Sequence, residues 1–344
     1  ALIAPGFARE GGTDRGEVHA PVANRAPEPV YKIQAGIEGE IYPVFANYAS
    51  LQSQSERSFG TVALTISNPG QIPLRQHVAV SIQGWSDQEI QVVEVPPGAV
   101  RTLTFAPTFL PRFYHNREIV AATAKVTVTE LGGKPVYETT LPVRLRSSED
   151  IYWGNGFKYA PFIASWVTPH DPLVEDVLMA AKQYTPDHRL PGYENWKAPA
   201  QQELETTIEA RAIFNAVKRL GLSYVKSSLT LGDHKNVSER VRMPHSSLGR
   251  SSANCIDAAV LYASLFENLG MEPSVVIVPG HAYVGVKVAE GSPKLLYIDV
   301  ALTGRAGFDT ALASARTGMA KQAQSSVTQV SIEEARSAGI YPMP

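Results

Sequence analysis

The chain has 344 residues, 44% of them hydrophobic, and a formal net charge of −2. That length fits about two domains of ~150 residues each and leaves room for a sizeable core. The near-balanced charge, with no long run of one sign, argues against a nucleic-acid partner, whose phosphates call for a basic face. Its strictly apolar runs, such as 258–263, fall far short of the ~20 residues a membrane-spanning helix needs.

Residues 1–29 are rich in Gly, Pro, Ala and charge without periodicity, and read as a flexible arm. From residue 30 to 148 the pattern is that of half-buried strands. Val62, Leu64 and Ile66 alternate with smaller or polar neighbours. So do Val78, Val80 and Ile82, then Val126 and Val128, then Tyr137, Thr139, Leu141, Val143 and Leu145. Turn signals at Asn68-Pro69-Gly70, Pro96-Pro97-Gly98 and Gly132-Gly133 separate the runs. Short strands so punctuated predict an all-β, immunoglobulin-like sandwich, without the Cys…Trp…Cys core of antibody domains.

The character changes near Ser147-Ser148-Glu149-Asp150, so 149–344 is read as a second domain, of α+β class. Helices are predicted at 172–184, with Leu173, Val177, Leu178 and Ala181 facing inward, and at 200–220, with Leu204, Ile208, Ile213, Val217 and Leu220 inward and Gly221 as the stop. A third is predicted at 251–269, stopped by Gly270. Strands are predicted at 274–278, 282–288 and 295–300. Ser331-Ile332-Glu333-Glu334 is the pattern of a capping box and predicts a short last helix.

Cys255 is the only cysteine, and it sits at the mouth of the third helix. Asn254 is a good N-cap residue, and the apolar positions Ile256, Val260, Ala263 and Phe266 follow it. Cys255 therefore falls in the first helical turn. The unpaired amides and the positive end of the helix dipole there favour a thiolate. A free cysteine at such a place is either a buried small hydrophobe or a nucleophile, and its partners decide which.

A thiolate nucleophile needs a base, and the base an orienting group. His281 follows Pro279-Gly280 at the start of one strand, and Asp299 lies near the end of the next. A hairpin centred on Glu290, in the turn Glu290-Gly291-Ser292-Pro293, sets His281 opposite Asp299 on one face, with Cβ atoms roughly 5 Å apart. A one-step slip would put them on opposite faces. Asp299 would hold the imidazole in one tautomer and stabilise its cation. Asp257, two residues after Cys255, points about 200° away around the helix axis, so its expected role is to complement the helix N-terminus.

The order Cys255, His281, Asp299, carried by Asn254-Cys255-Ile256-Asp257, Pro279-Gly280-His281-Ala282-Tyr283-Val284-Gly285 and Tyr297-Ile298-Asp299, resembles the transglutaminase-like superfamily, a circularly related cousin of papain-type cysteine proteases. Ser165-Trp166-Val167-Thr168-Pro169 and Glu239-Arg240-Val241-Arg242-Met243-Pro244 resemble a bacterial branch of it. The resemblance covers about residues 150–341. It implies a papain-like fold, with Cys255 as nucleophile, His281 as general base and acid, and Asp299 as orienter. Members are acyl-transfer enzymes; some crosslink glutamine side chains to amines, others hydrolyse peptides or amides, and some have lost their catalytic residues. Tyr283 stands where the usual companion of the histidine is Trp, a departure that bears on crosslinking more than on thiol chemistry.

The expected activity is cysteine-dependent hydrolysis of a protein or peptide substrate through a thioester, with the Cys255 amide as one oxyanion donor. Trp166, Arg242 and Tyr283 are candidates for a second donor or for substrate contact; otherwise the aromatics are core and Arg242 is an ion-pair residue. Two other functions compete: acyl transfer to an amine, and a binding module with a vestigial triad. The sandwich suits a protein partner and an extracytoplasmic place, periplasmic or secreted, by fold-level analogy. No His-Glu-x-x-His, Cys-x-x-Cys, EF-hand or phosphate-loop motif is present, so no metal or cofactor is expected. His170, His188, His234 and His245 are scattered, and Asn236-Val237-Ser238 is a short glycosylation sequon.

Overall fold

The computed structural model describes residues 27–53, 59–194, 198–226 and 238–344. Residues 1–26 of the expected arm, His234, and Asn236 of the sequon lie outside them. The described chain is mixed α/β, with several separate sheets.

The first part runs β1 (Val30–Ala35), β2 (Glu40–Ile41), α1 (Pro43–Ser50), β3 (Val62–Ser67), β4 (Leu74–Ile82), β5 (Glu89–Val95), β6 (Val100–Phe105), α2 (Pro111–Tyr114), β7 (Val120–Glu130) and β8 (Pro135–Leu145). One sheet has the order β1-β3-β6, and the other β2-β8-β7-β4-β5. Their inward residues meet in one core. Val62, Leu64 and Ile66 come from the first sheet, and Val78, Val80, Ile82, Val126 and Val128 from the second. The predicted alternation is thus the real one, because a residue period of two sends every second side chain to the same face.

Helix α1 was not anticipated, since its residues lie inside a stretch read as strands. Pro43 opens it, and Val44 and Phe45 are buried. They pack not into the β core but into the core of the second part of the chain. Phe45 stacks on Phe59 and meets Tyr159 and Phe162 edge-on. A buried ionic cluster joins the two parts at the same place. Glu40 is linked to Arg146 and Arg144, and Arg146 Nε lies 3.0 Å from Asp150.

The second part runs β9 (Asp150–Tyr152), α3 (Pro172–Ala181), α4 (Pro199–Arg219), β10 (Ser223–Tyr224), β11 (Ser238–Arg240), α5 (Pro244–Gly249), β12 (Ser252–Ala253), α6 (Cys255–Asn268), β13 (Pro273–Val278), β14 (His281–Lys287), β15 (Leu295–Ile298), α7 (Phe308–Ala320), β16 (Thr328–Ser331) and α8 (Ile332–Ser337). A four-stranded antiparallel sheet has the order β15-β14-β13-β16. Helix α6 lies across β13 and β14, with α3 and α5 beside it. It ends where expected, at Gly270 with φ +69°. The Gly270 and Met271 amides bond back to Glu267 and Phe266, the pattern of a Schellman cap. The capping box before α8 is half present: Ser331 Oγ accepts from the Glu334 amide.

Two predicted helix faces are rotated. Leu173 is exposed and Val174 is buried in its place. On α4, Leu204 and Leu220 are exposed, and the inward face carries Gln202, Thr206 and Glu209 besides Ile213, Phe214 and Val217. The polar members have partners. Glu209 accepts from the Gly192 amide, Thr206 bonds to the Val288 carbonyl, and Gln202 to that of Tyr193. Hydrogen bonding removes most of the cost of burying them, so apolar spacing alone does not find this face.

Candidate active site

The start of α6 is set by its own residues. Asn254 Oδ1 accepts from the Asp257 amide at 2.8 Å, and Asp257 Oδ2 accepts from the Asn254 amide at 3.2 Å, a closed capping box. The Ala258 amide bonds to the Asn254 carbonyl. Cys255 is the first helical residue and is partly exposed. Its amide and that of Ile256 belong to the first turn, which has no carbonyl of its own to donate to.

Asp257 does more than cap. It is fully buried, and Oδ1 accepts from the Arg242 amide at 2.8 Å, tying the chain before α5 to the helix start. Burial pushes its carboxyl above the ordinary range, against the pull of those two amides and of the Arg242 charge. Arg242 itself turns to Asp257 and to the Ser252 carbonyl, at 3.1 Å.

His281 begins β14, and Asp299 follows β15 directly. His281 Nε2 lies 3.0 Å from Asp299 Oδ1. The hairpin is centred on Gly291, not Glu290: Lys287 pairs with Leu295 and Val284 with Ile298. That moves the pairing by two residues, so Tyr283 falls opposite Asp299 and His281 is its diagonal neighbour. A shift of two keeps both on one face. A diagonal pair stands ~7–8 Å apart at the backbone, a gap an imidazole and a carboxylate span together.

Asp299 is held from three sides. Its amide donates to the Ala311 carbonyl at 3.2 Å, and Ser314 of α7 donates to Oδ2 at 2.7 Å. Burial raises the carboxyl, but hydrogen bonds from His281, Ser314 and the Ala301 amide, with the His281 charge, outweigh it and leave it below its ordinary value. His281 is shifted the other way, up to about 9, first by the hydrogen bond with Asp299 and next by Cys255, with partial burial opposing. With Nε2 taken by Asp299, Nδ1 is the nitrogen left for the thiol.

Cys255 and His281 line a cleft of about 310 Å³, together with Asn254, Ile256, Phe157, Tyr224, Lys226, Glu239 and residues of β13 and β14. Phe157 has φ +58°, a strained backbone for an aromatic residue of the kind that collects at functional sites.

The other sequence candidates fall elsewhere. Trp166 is fully buried in the core with its indole N–H unpaired, and it does not line the cleft. Arg242 is occupied at Asp257, on the far side of the helix start. Tyr283 is buried, its ring edge-on to that of His281 at 4.7 Å, so it packs the imidazole instead of facing the cleft. Sequence reasoning missed Ser314, which no local pattern marks, and Glu239, which stands within a quoted segment but was given no role. Among the described residues no group of three His, Cys, Asp or Glu side chains is placed to hold a metal, and no helix is long and apolar enough to cross a membrane.

No family model and no curated protein matches the chain. Among solved structures, one that is similar is the crystal structure of a FixG-related protein from Vibrio parahaemolyticus. It is 14% identical over 35% of this chain and 95% of that one, with a TM-score of 0.22. A likeness at that level carries no inference about this chain.

Proposed function

We propose that this protein is a cysteine-dependent amide or peptide hydrolase, acting through Cys255, His281 and Asp299 and a thioester intermediate. The observation that carries the proposal is the His281 imidazole, bonded to Asp299 at 3.0 Å and raised in basicity by Asp299 and Cys255 together. In the same reading the second part of the chain is a transglutaminase-like, papain-like domain, and the first an immunoglobulin-like sandwich. The support is a helix that begins at Cys255, lies across an antiparallel sheet, and meets the histidine and aspartate of successive strands.

The steps follow from the placement. His281 takes the thiol proton, and the sulfur attacks the amide carbonyl carbon. The carbonyl electron pair moves to oxygen, next to the Cys255 amide at the positive end of α6. His281 then gives its proton to the leaving amine as the C–N bond breaks. Water, deprotonated by the same imidazole, cleaves the thioester to acid and free thiol. Asp299 holds the ring and its charge throughout.

Mass spectrometry after incubation with a peptide mixture tests this. Wild type should release free acids and carry a trappable acyl group on Cys255, and Cys255→Ala should do neither. Adding a primary amine separates the transferase, which would form amide adducts. A wild-type protein that yields no product and carries no acyl group would favour a binding module.

A further inference from the structure

Beyond the triad, we propose that the Glu239 carboxyl is the second oxyanion donor, giving its O–H hydrogen bond to the carbonyl oxygen of the bound amide opposite the Cys255 amide. This assignment rests on the hydrolase reading above and completes its site.

The geometry is that of a side chain in the lining of the nucleophile's own cleft. In β11, Glu239 pairs with Ile151 of β9. Its neighbours point to the other face, where Ser238 meets the Tyr42 hydroxyl and Arg240 bonds to Glu149. Strand alternation therefore turns Glu239 to the cleft, whose lining it shares with Cys255 and His281. A donor in the lining of the nucleophile's cleft is placed to meet the oxygen of a carbonyl bound there.

A carboxyl can donate only as the acid. The residue keeps some exposure, toward the cleft, while the carboxyl is largely out of water. Burial, and next the Asp257 carboxylate, raise it to about 7, against the hydrogen bond from the Trp153 indole. The other titratable groups in the lining of the cleft are Tyr224, Lys226, Cys255 and His281. Trp166, Arg242 and Tyr283 do not line the cleft; of the other side-chain donors that do, Asn254 caps α6 and Tyr224 and Lys226 are exposed, whereas Glu239 is partly buried.

Two reactions of Cys255 separate the donor from the nucleophile. Acylation by p-nitrophenyl acetate passes through an oxyanion: sulfur bonds to the carbonyl carbon, charge gathers on oxygen, and p-nitrophenolate leaves a thioester. Alkylation by iodoacetamide displaces iodide at a saturated carbon and forms no oxyanion. Glu239→Ala should slow acylation at about pH 6 by about 100-fold or more and change alkylation by no more than about twofold. Glu239→Gln, which keeps a donor of the same shape, should acylate within a few-fold of wild type at that pH. The ratio of acylation to alkylation should fall in wild type as pH rises through about 7 and stay flat in Glu239→Gln. Loss of acylation in Glu239→Gln equal to that in Glu239→Ala, or equal loss of both reactions in either variant, would overturn the assignment. A wild-type thiol that neither reagent modifies would overturn the nucleophile itself, and the donor with it.

Discussion

The two parts of the chain bury different things. Between β3 and β8 the interior is aliphatic and aromatic, and the buried polar side chains are few, namely Asn68 and Gln76; the buried ionic residues gather at the seam, in Glu40, Arg146, Glu149 and Asp150. In the second part Asn254, Asp257 and Asp299 are buried within or beside the site, and Gln202, Thr206 and Glu209 line one helix. Buried polar groups cost stability unless fully bonded, and a bonded network fixes geometry that apolar packing does not. The first part therefore reads as a scaffold, and the second as a frame that holds three side chains in register.

That contrast can be broken by substitution. The largest effect is expected at Asp299→Asn, which keeps the shape but removes the charge facing His281. Acylation of Cys255 should drop by roughly 10²–10⁴-fold. Leu64→Ala, in the scaffold, should do the reverse. It empties a fully buried site and should cost about 2–5 kcal/mol in denaturant unfolding, while the folded protein keeps its Cys255 reactivity. Asp257→Ala should affect both. It strands the buried amide of Asn254 and the part-buried amide of Arg242, costing about 1–3 kcal/mol, and loosens the turn that carries the thiol.

The smallest effect is on the pH dependence of stability. His281 is raised from 6.5 to about 9 on folding, so its contribution is complete below 6.5 and is lost as pH rises through about 9. Asp299 is lowered, so its contribution is present above its ordinary value of 3.8 and is lost as pH falls below it. The pair should stabilise most between those limits. Unfolding curves of His281→Ala should show a flatter pH profile between about 6.5 and 9; an unchanged profile would place the shift elsewhere.

What could be read from the sequence follows the range of the interactions. Asn254 as cap and Cys255 as first helical residue depend on four neighbouring residues, and Gly270 stops the helix for a local reason. Strand alternation likewise gave the inward residues of β3, β4 and β7. The His281–Asp299 pairing was legible only to parity: period two keeps both on one face, but the register depends on where the turn centres. Gly291, with φ +66°, takes that place one residue beyond the expected centre. The rotated face of α4 was illegible because bonded polar side chains fill it. Helix α1 was missed because Phe45 has partners more than a hundred residues away, at Tyr159 and Phe162. Glu239 is marked only once β9 and β11 pair.

The most direct measurement is the rate of iodoacetamide alkylation of Cys255 against pH, in wild type and in His281→Ala. A thiol activated by the imidazole should alkylate at least about tenfold faster at about pH 6 in wild type than in His281→Ala. A thiol that is inert, or that reacts identically in both proteins, would contradict the catalytic pair.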